Sequence, residues 1–129
     1  MSAADPLEPV RLAVAAALDK KAFRVVCLEV TELTSVADHF VLCSAASDRQ
    51  VGAVVDEVQR RLRDGGRRPI HVEGEGSTGW VLLDFGDLIV HVFTEDRRAY
   101  YALDGLWGDA PRLDPKALGV AGSGADEPA

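Results

Sequence analysis

Residues 80–93 read WVLLDFGDLIVHVF. Two apolar runs, Trp80 to Phe85 and Leu88 to Phe93, meet at Gly86-Asp87, and a glycine-aspartate step between runs rich in β-branched and aromatic residues signals a hairpin. Asp84 stands where its carboxylate can accept a backbone N–H of the turn. Both runs are near-continuously apolar instead of alternating, the pattern of strands covered on both faces. The hairpin is therefore expected at the centre of a sheet. Residues 94–107, TEDRRAYYALDGLW, carry Tyr100, Tyr101 and Trp107 beside Leu103 and Leu106 in a segment too short and too charged to be a core element. Such an amphipathic segment either lies back on the sheet or meets a partner.

Upstream, Val10, Val14, Ala17 and Leu18 recur at helical spacing behind Pro9, which suits a first turn, so a first helix is expected to end near Lys20. Because the residue before a proline is pushed out of the helical region, Glu8 is expected outside it. Phe23–Val30 and His39–Ala45 read as strands. Ser47-Asp48-Arg49-Gln50 is a capping box, with the Ser47 hydroxyl open to the Gln50 amide and the Gln50 side chain reaching back. The second helix that it starts has an apolar stripe of Val51, Val54, Val55, Val58 and Leu62, and Gly65-Gly66 ends it. Pro69–Val72 reads as a short strand whose proline favours a sheet edge or a strand start. Glu73–Gly79 is then a loop. The expected division is one domain over residues 1–110 and a mobile tail over 111–129, where Gly, Ala, Pro and Asp prevail up to GSGADEPA.

The chain has 129 residues, 47% of them hydrophobic, which suits one domain with a sizeable core. Its 21 acidic residues against 14 Lys and Arg leave a net charge of −7, favouring a basic protein surface over bare nucleic acid as partner. No apolar run approaches the roughly 18 residues of a membrane span, and MSAADPLEPVR lacks a signal peptide's basic start and apolar stretch. A cytoplasmic, membrane-free protein is expected. Cys27 and Cys43 sit inside strand-like runs as small core residues, and no disulfide is expected.

Gly74, Gly76 and Gly79 spell GxGxxG, but the dinucleotide fingerprint needs a helix after it to receive phosphate. Here the strand WVLLDF follows, and Glu73 and Glu75 would repel the anion. Asp38, Asp84, Asp87 and Asp104 could be imagined around a hard cation; Asp84 and Asp87, however, flank a tight turn, where aspartate serves local hydrogen bonds. His39, His71 and His91 stand singly, without zinc-ligand spacing, and neither Ser77 nor either cysteine has a nucleophile's local setting. No catalytic residue, metal or cofactor is assigned. Arg60, Arg61, Arg63, Arg67 and Arg68 concentrate positive charge at the end of the second helix. Asp56 and Glu57 precede Arg60 and Arg61 by four residues, the spacing of solvated surface pairs, so this reading outweighs RNA contact. Trp80, Tyr100, Tyr101 and Trp107 are four of the chain's eight aromatics. Spacing alone serves a core cap and an interface equally.

Several stretches, in order, resemble the ribosomal silencing factor RsfS family, also called Iojap or DUF143. They are Ala37-Asp38 with HFVLCSA, SDRQV at the second helix, Glu73-Gly74, WVLLDFGD, Val90-His91-Val92, and Arg98 through Tyr101-Ala102-Leu103 to Leu106-Trp107. The resemblance spans residues 7 to 110. It implies an α/β domain with a central mixed sheet of about five strands flanked by helices, related to nucleotidyltransferases without their catalytic acids. It also implies a non-enzymatic translational repressor. Such proteins bind the large ribosomal subunit at ribosomal protein number fourteen, block small-subunit joining when nutrients are short, and form homodimers off the ribosome. Residues and resemblance together assign Trp80, Asp84, Tyr101, Leu103, Leu106 and Trp107 to one partner-binding patch. The rival readings are a metal-dependent nucleotidyltransferase using Asp38, Asp84 or Asp87 and an RNA-binding module using the Arg60–Arg68 cluster.

Overall fold

A computed structural model describes residues 7–75, 78–101, 110–113 and 118, with backbone alone for 99–101. The chain runs α1 (Glu8–Asp19), β1 (Phe23–Glu29), β2 (His39–Ala45), α2 (Asp48–Asp64), β3 (His71–Glu75), β4 (Trp80–Asp84), β5 (Leu88–Thr94), α3 (Glu95–Tyr101) and β6 (Arg112–Leu113). The strands form one mixed six-stranded sheet in the order β3-β4-β5-β2-β1-β6. Its parallel pair, β2 beside β5, is buried along its whole length. The other ladders are antiparallel.

The 80–93 stretch folds as the expected hairpin. Phe85 N donates to the Leu88 carbonyl at 2.8 Å, and Gly86 N donates to Asp84 Oδ1 at 2.8 Å. Only its second strand is central, however. β4 lies one place from the edge and is buried at alternate residues, because β3 pairs along its outer side and nothing comparable among the described residues covers one face. β3 itself runs from His71 to Glu75, so Glu73, Gly74 and Glu75, expected in a loop, continue the ladder opposite Leu82, Val81 and Trp80. Gly74 can do this at φ 86° because a Cβ there would stand 2.1 Å from the Trp80 carbonyl oxygen.

The apolar stripes of both helices cover one face. Val10, Ala13, Val14 and Ala17 of α1 and Val51, Val54, Val58 and Leu62 of α2 meet Val41, Val81, Leu83 and Val90 of the sheet. Val55, expected in this stripe, is only partly buried at its margin. The Ser47 cap forms, with Gln50 N donating to Ser47 Oγ at 3.1 Å; the Gln50 side chain reaches back one residue further than in a capping box, its Oε1 accepting from Ala46 N at 2.5 Å. Gln50 Nε2 also donates to the Lys20 and Lys21 carbonyls, at 3.0 Å each, and so ties the end of α1 to the start of α2. At the other end Gly66, at φ 88°, lets its own N–H reach the Arg63 carbonyl and that of Arg67 reach Leu62, a Schellman closure. Glu8, expected outside α1, is its first residue. The first turn leaves its own N–H groups unbonded, so Pro9 loses nothing there, and an acid is favoured at that end of the dipole.

Both cysteines are buried and free, and burial pushes each thiol up to about 12. Arg112 and Leu113 pair with Leu28 and Cys27, and Leu118 is buried among the core residues, so the fold reaches past residue 110. The other residues of the expected tail lie outside the described ones. β6 supplies the sixth strand where about five were expected, a two-residue strand being too short to carry a periodic signal. No helix among the described residues is long and apolar enough to cross a membrane.

Candidate partner-binding face

Residues paired across a ladder point to the same side, so the register gives the composition of the sheet's second face. From the β3 edge inward, His71, Glu73 and Glu75 stand beside Asp84, Leu82 and Trp80, and these beside Ile89, His91 and Phe93. Phe40, Leu42 and Ser44 of β2 follow, then Leu28 and Val26 of β1. Towards β2 and β1 this face is mostly buried, with Leu28, Leu42 and Phe93 almost wholly out of solvent and Val26 partly buried. Towards β4 and β3 it opens. Trp80, Leu82 and Asp84 are partly exposed, and all of β3 is exposed.

An aromatic stack holds Trp80. Its ring lies 6.1 Å from that of Phe93 and 6.5 Å from that of His91, at interplanar angles of 10° and 7°. Phe40 meets His91 edge-on at 5.4 Å. Tryptophan fixed this way presents a large surface at little further entropy cost. Burial lowers the His91 pKa to about 4, so the imidazole is neutral, and its Nδ1 has no hydrogen-bond partner among the described residues. His91 thus stands as a neutral ring parallel to the partly exposed indole.

Asp84 spends one carboxylate oxygen on Gly86 N, leaving its charge beside Trp80 and Leu82. Asp87 is ion-paired with Arg67, and its carbonyl accepts from Asp38 N at 2.9 Å and His39 N at 3.1 Å, which ties the β1–β2 connection to the hairpin turn. α3 carries Tyr101 at its last position and is fixed through Arg98, which is buried and donates to Ser44 Oγ at 2.9 Å and the Arg24 carbonyl at 2.7 Å. Arg24 has φ 51° at a bulge in β1 and pairs with Glu95 at 3.0 Å, so α3 stabilises the strained turn of that strand. Of the six residues assigned to the patch, Trp80 and Asp84 share the open face. The side chain of Tyr101, and Leu103, Leu106 and Trp107, lie outside the described residues, as does Asp104. Leu82, Glu73, Glu75 and His91 join the face without having been singled out for it. Their two-residue period was legible; which side of β4 stays open was not.

Elsewhere the polar groups are mostly engaged. Hydrogen bonds from Arg60 and then Arg61 hold the Glu57 carboxyl down at about 2, and Arg61 also pairs with Asp19. A concavity of about 510 Å³ at the carboxyl ends of β2 and β5 is lined by Ser47, Asp48, Thr78, Thr94, Glu95 and Asp96 among others. Its acids disfavour a phosphate. Thr94 Oγ1 donates to Asp96 at 2.8 Å, which lowers that carboxyl's pKa. Among the described residues no group of three or more His, Cys, Asp or Glu could hold a metal ion. Gly79 faces Thr94 and Arg97 and turns the chain into β4, so Gly74 and Gly79 serve a hairpin and not a phosphate cradle.

The profile of the family described as "Ribosomal silencing factor during starvation" matches residues 3–128. The chain is similar to the ribosomal silencing factor RsfS of Halalkalibacterium halodurans, 43% identical over 83% of this chain and 92% of that one. The RsfS of Bacillus subtilis is 41% identical over 81% of this chain and 88% of its own. A crystal structure of a protein from Chromobacterium violaceum superposes with a TM-score of 0.78 at 35% identity, covering 81% of this chain and 88% of that one.

Proposed function

Since the chain belongs to the ribosomal silencing factor family, we propose that it is a translational repressor that binds the large ribosomal subunit at ribosomal protein number fourteen and excludes the small subunit. It acts in the cytoplasm by occupying a docking surface, not by catalysis, and most when nutrients are short. The observation that carries this reading is the half-open sheet face, where Trp80 rests on His91 and Phe93 beside the carboxylates of Asp84, Glu73 and Glu75. An aromatic anchor ringed by acids suits a basic ribosomal protein, with charge speeding docking more than tightening it. Tyr101, Leu103, Leu106 and Trp107 belong to the same patch in this reading. The arginines at the end of α2 and just beyond it favour ribosomal RNA less, because Arg60, Arg61 and Arg67 are engaged by Glu57, Asp64, Asp19 and Asp87. Off the ribosome the chain forms a homodimer.

Mixing the chain with purified large subunits, followed by sedimentation and cross-linking, tests this. The expected result is co-sedimentation, a cross-link to ribosomal protein fourteen and loss of subunit joining in the same mixture. Binding to naked ribosomal RNA with steep salt dependence, and none to the protein, would replace this reading with the RNA one.

A further inference from the structure

β3 is the terminal strand of the sheet, and among the described residues its outer main-chain groups have no neighbouring strand. Such an edge is a ready template for another strand unless something blunts it. Two rows of side chains flank it. Val72 pairs with Leu83 on the helix-covered side, and Ile70 precedes it by the strand period of two; they are 43% and 74% exposed. Both rank among the four exposed large apolar residues of the described chain. On the other side stand Glu73 and Glu75, continuous with the Trp80 face, and His71 pairs with Glu73 at 3.1 Å.

We propose that the β3 edge receives an extended segment of a basic protein of the large subunit, added as a seventh strand, with Lys or Arg facing Glu73 and Glu75 and apolar residues facing Ile70 and Val72. This rests on the reading that the Trp80 face binds the large subunit, and it names how part of the partner is held. Main-chain hydrogen bonds supply attachment and the alternating rows supply selectivity. The acids choose among occupants. A second copy of β3 would bring a second row of glutamates against the first, and like charges directly opposite destabilise a ladder. Nucleic acid phosphate would meet the same repulsion.

The test is amide hydrogen exchange of the full chain, free and saturated with purified large subunits, alongside binding by a Glu73→Lys, Glu75→Lys double variant. Amides within residues 70–75 should slow by about tenfold or more in the complex. The double variant should keep its melting transition and bind roughly tenfold more weakly. Unchanged exchange at 70–75 in a complex that forms, and that Trp80→Ala weakens, overturns the edge docking while leaving the Trp80 face intact. If no complex forms, the underlying reading fails and the proposal with it. Tighter binding by the double variant, or slowing in the free chain as its concentration rises, overturns the choice of a basic protein strand.

Discussion

The two faces of one sheet differ in how they are finished. On one, α1 and α2 lay their stripes over Val41, Val81, Leu83 and Val90, and Ala13, Val14 and Ala17 of α1 and Val51, Val54, Val58 and Leu62 of α2 are wholly buried. On the other, burial is complete along β5 and β2 and at Leu28; at β4 and β3 an indole, a leucine and several carboxylates meet water above a stack of Phe93, His91 and Phe40. The covered face is built for stability. The open one holds a large aromatic surface in place without hiding it, as a partner-binding surface requires.

Val54→Asp attacks the covered face and should have the largest effect. An unpaired carboxylate at a fully buried position costs several kcal/mol against a total stability of roughly 5–15, so no cooperative thermal transition should remain. A soluble variant that melts cooperatively would show that the helix contact contributes less than its burial implies.

Acid should weaken the two faces in different windows. The folded chain keeps His91 neutral down to about pH 4, whereas the unfolded chain protonates it near the ordinary 6.5. Between these values the unfolded state binds the extra proton. The stabilisation is therefore complete above about 6.5 and falls as pH is lowered to 4, by on the order of 3 kcal/mol. Glu57, held at about 2 instead of the usual 4.5, contributes stability that is present above 4.5 and lost as pH falls further. Urea titrations across pH should show two limbs. His91→Phe should remove the upper limb and Glu57→Gln should remove the lower.

Arg98→Ala strips the Arg24 carbonyl and the Ser44 hydroxyl of their donor where α3 meets the sheet. A loss of about 2 kcal/mol in urea unfolding is expected. Asp84→Asn should change stability least, within about 0.5 kcal/mol, because an amide oxygen can accept from Gly86 N as the carboxylate does. A large loss there would mean that Asp84 supports more than its turn.

The covered face was readable in the sequence because helical periodicity and a capping box are local signals. Val51, Val54, Val58 and Leu62 declare their stripe, Ser47 and Gln50 its start, and Gly66 its end. The hairpin was equally plain. What the sequence concealed depends on neighbours. The apolar run of β4 looks like a strand buried on both sides, and only its place beside an exposed β3 leaves Trp80 and Leu82 partly in water. Glycine at position 74 suggested a loop, yet it continues a strand by sitting where no side chain fits. β6 was missed because two residues carry no period. The expectation that Trp80 and Asp84 share a patch rested on residue type and family resemblance; the register puts both on one face of the sheet.

The proposed site for the large ribosomal subunit lies on the open face and not on the helix-covered side. The measurement that addresses it most directly is the affinity of purified large subunits for Trp80→Ala and for Arg63→Ala, an exposed residue of α2, with melting recorded for both. Trp80→Ala should retain a cooperative transition and bind roughly thirtyfold more weakly, the effect of losing a hot-spot anchor of about 2 kcal/mol, while Arg63→Ala binds like the parent. Unchanged affinity for Trp80→Ala together with lost binding for Arg63→Ala would move the site to the helix side.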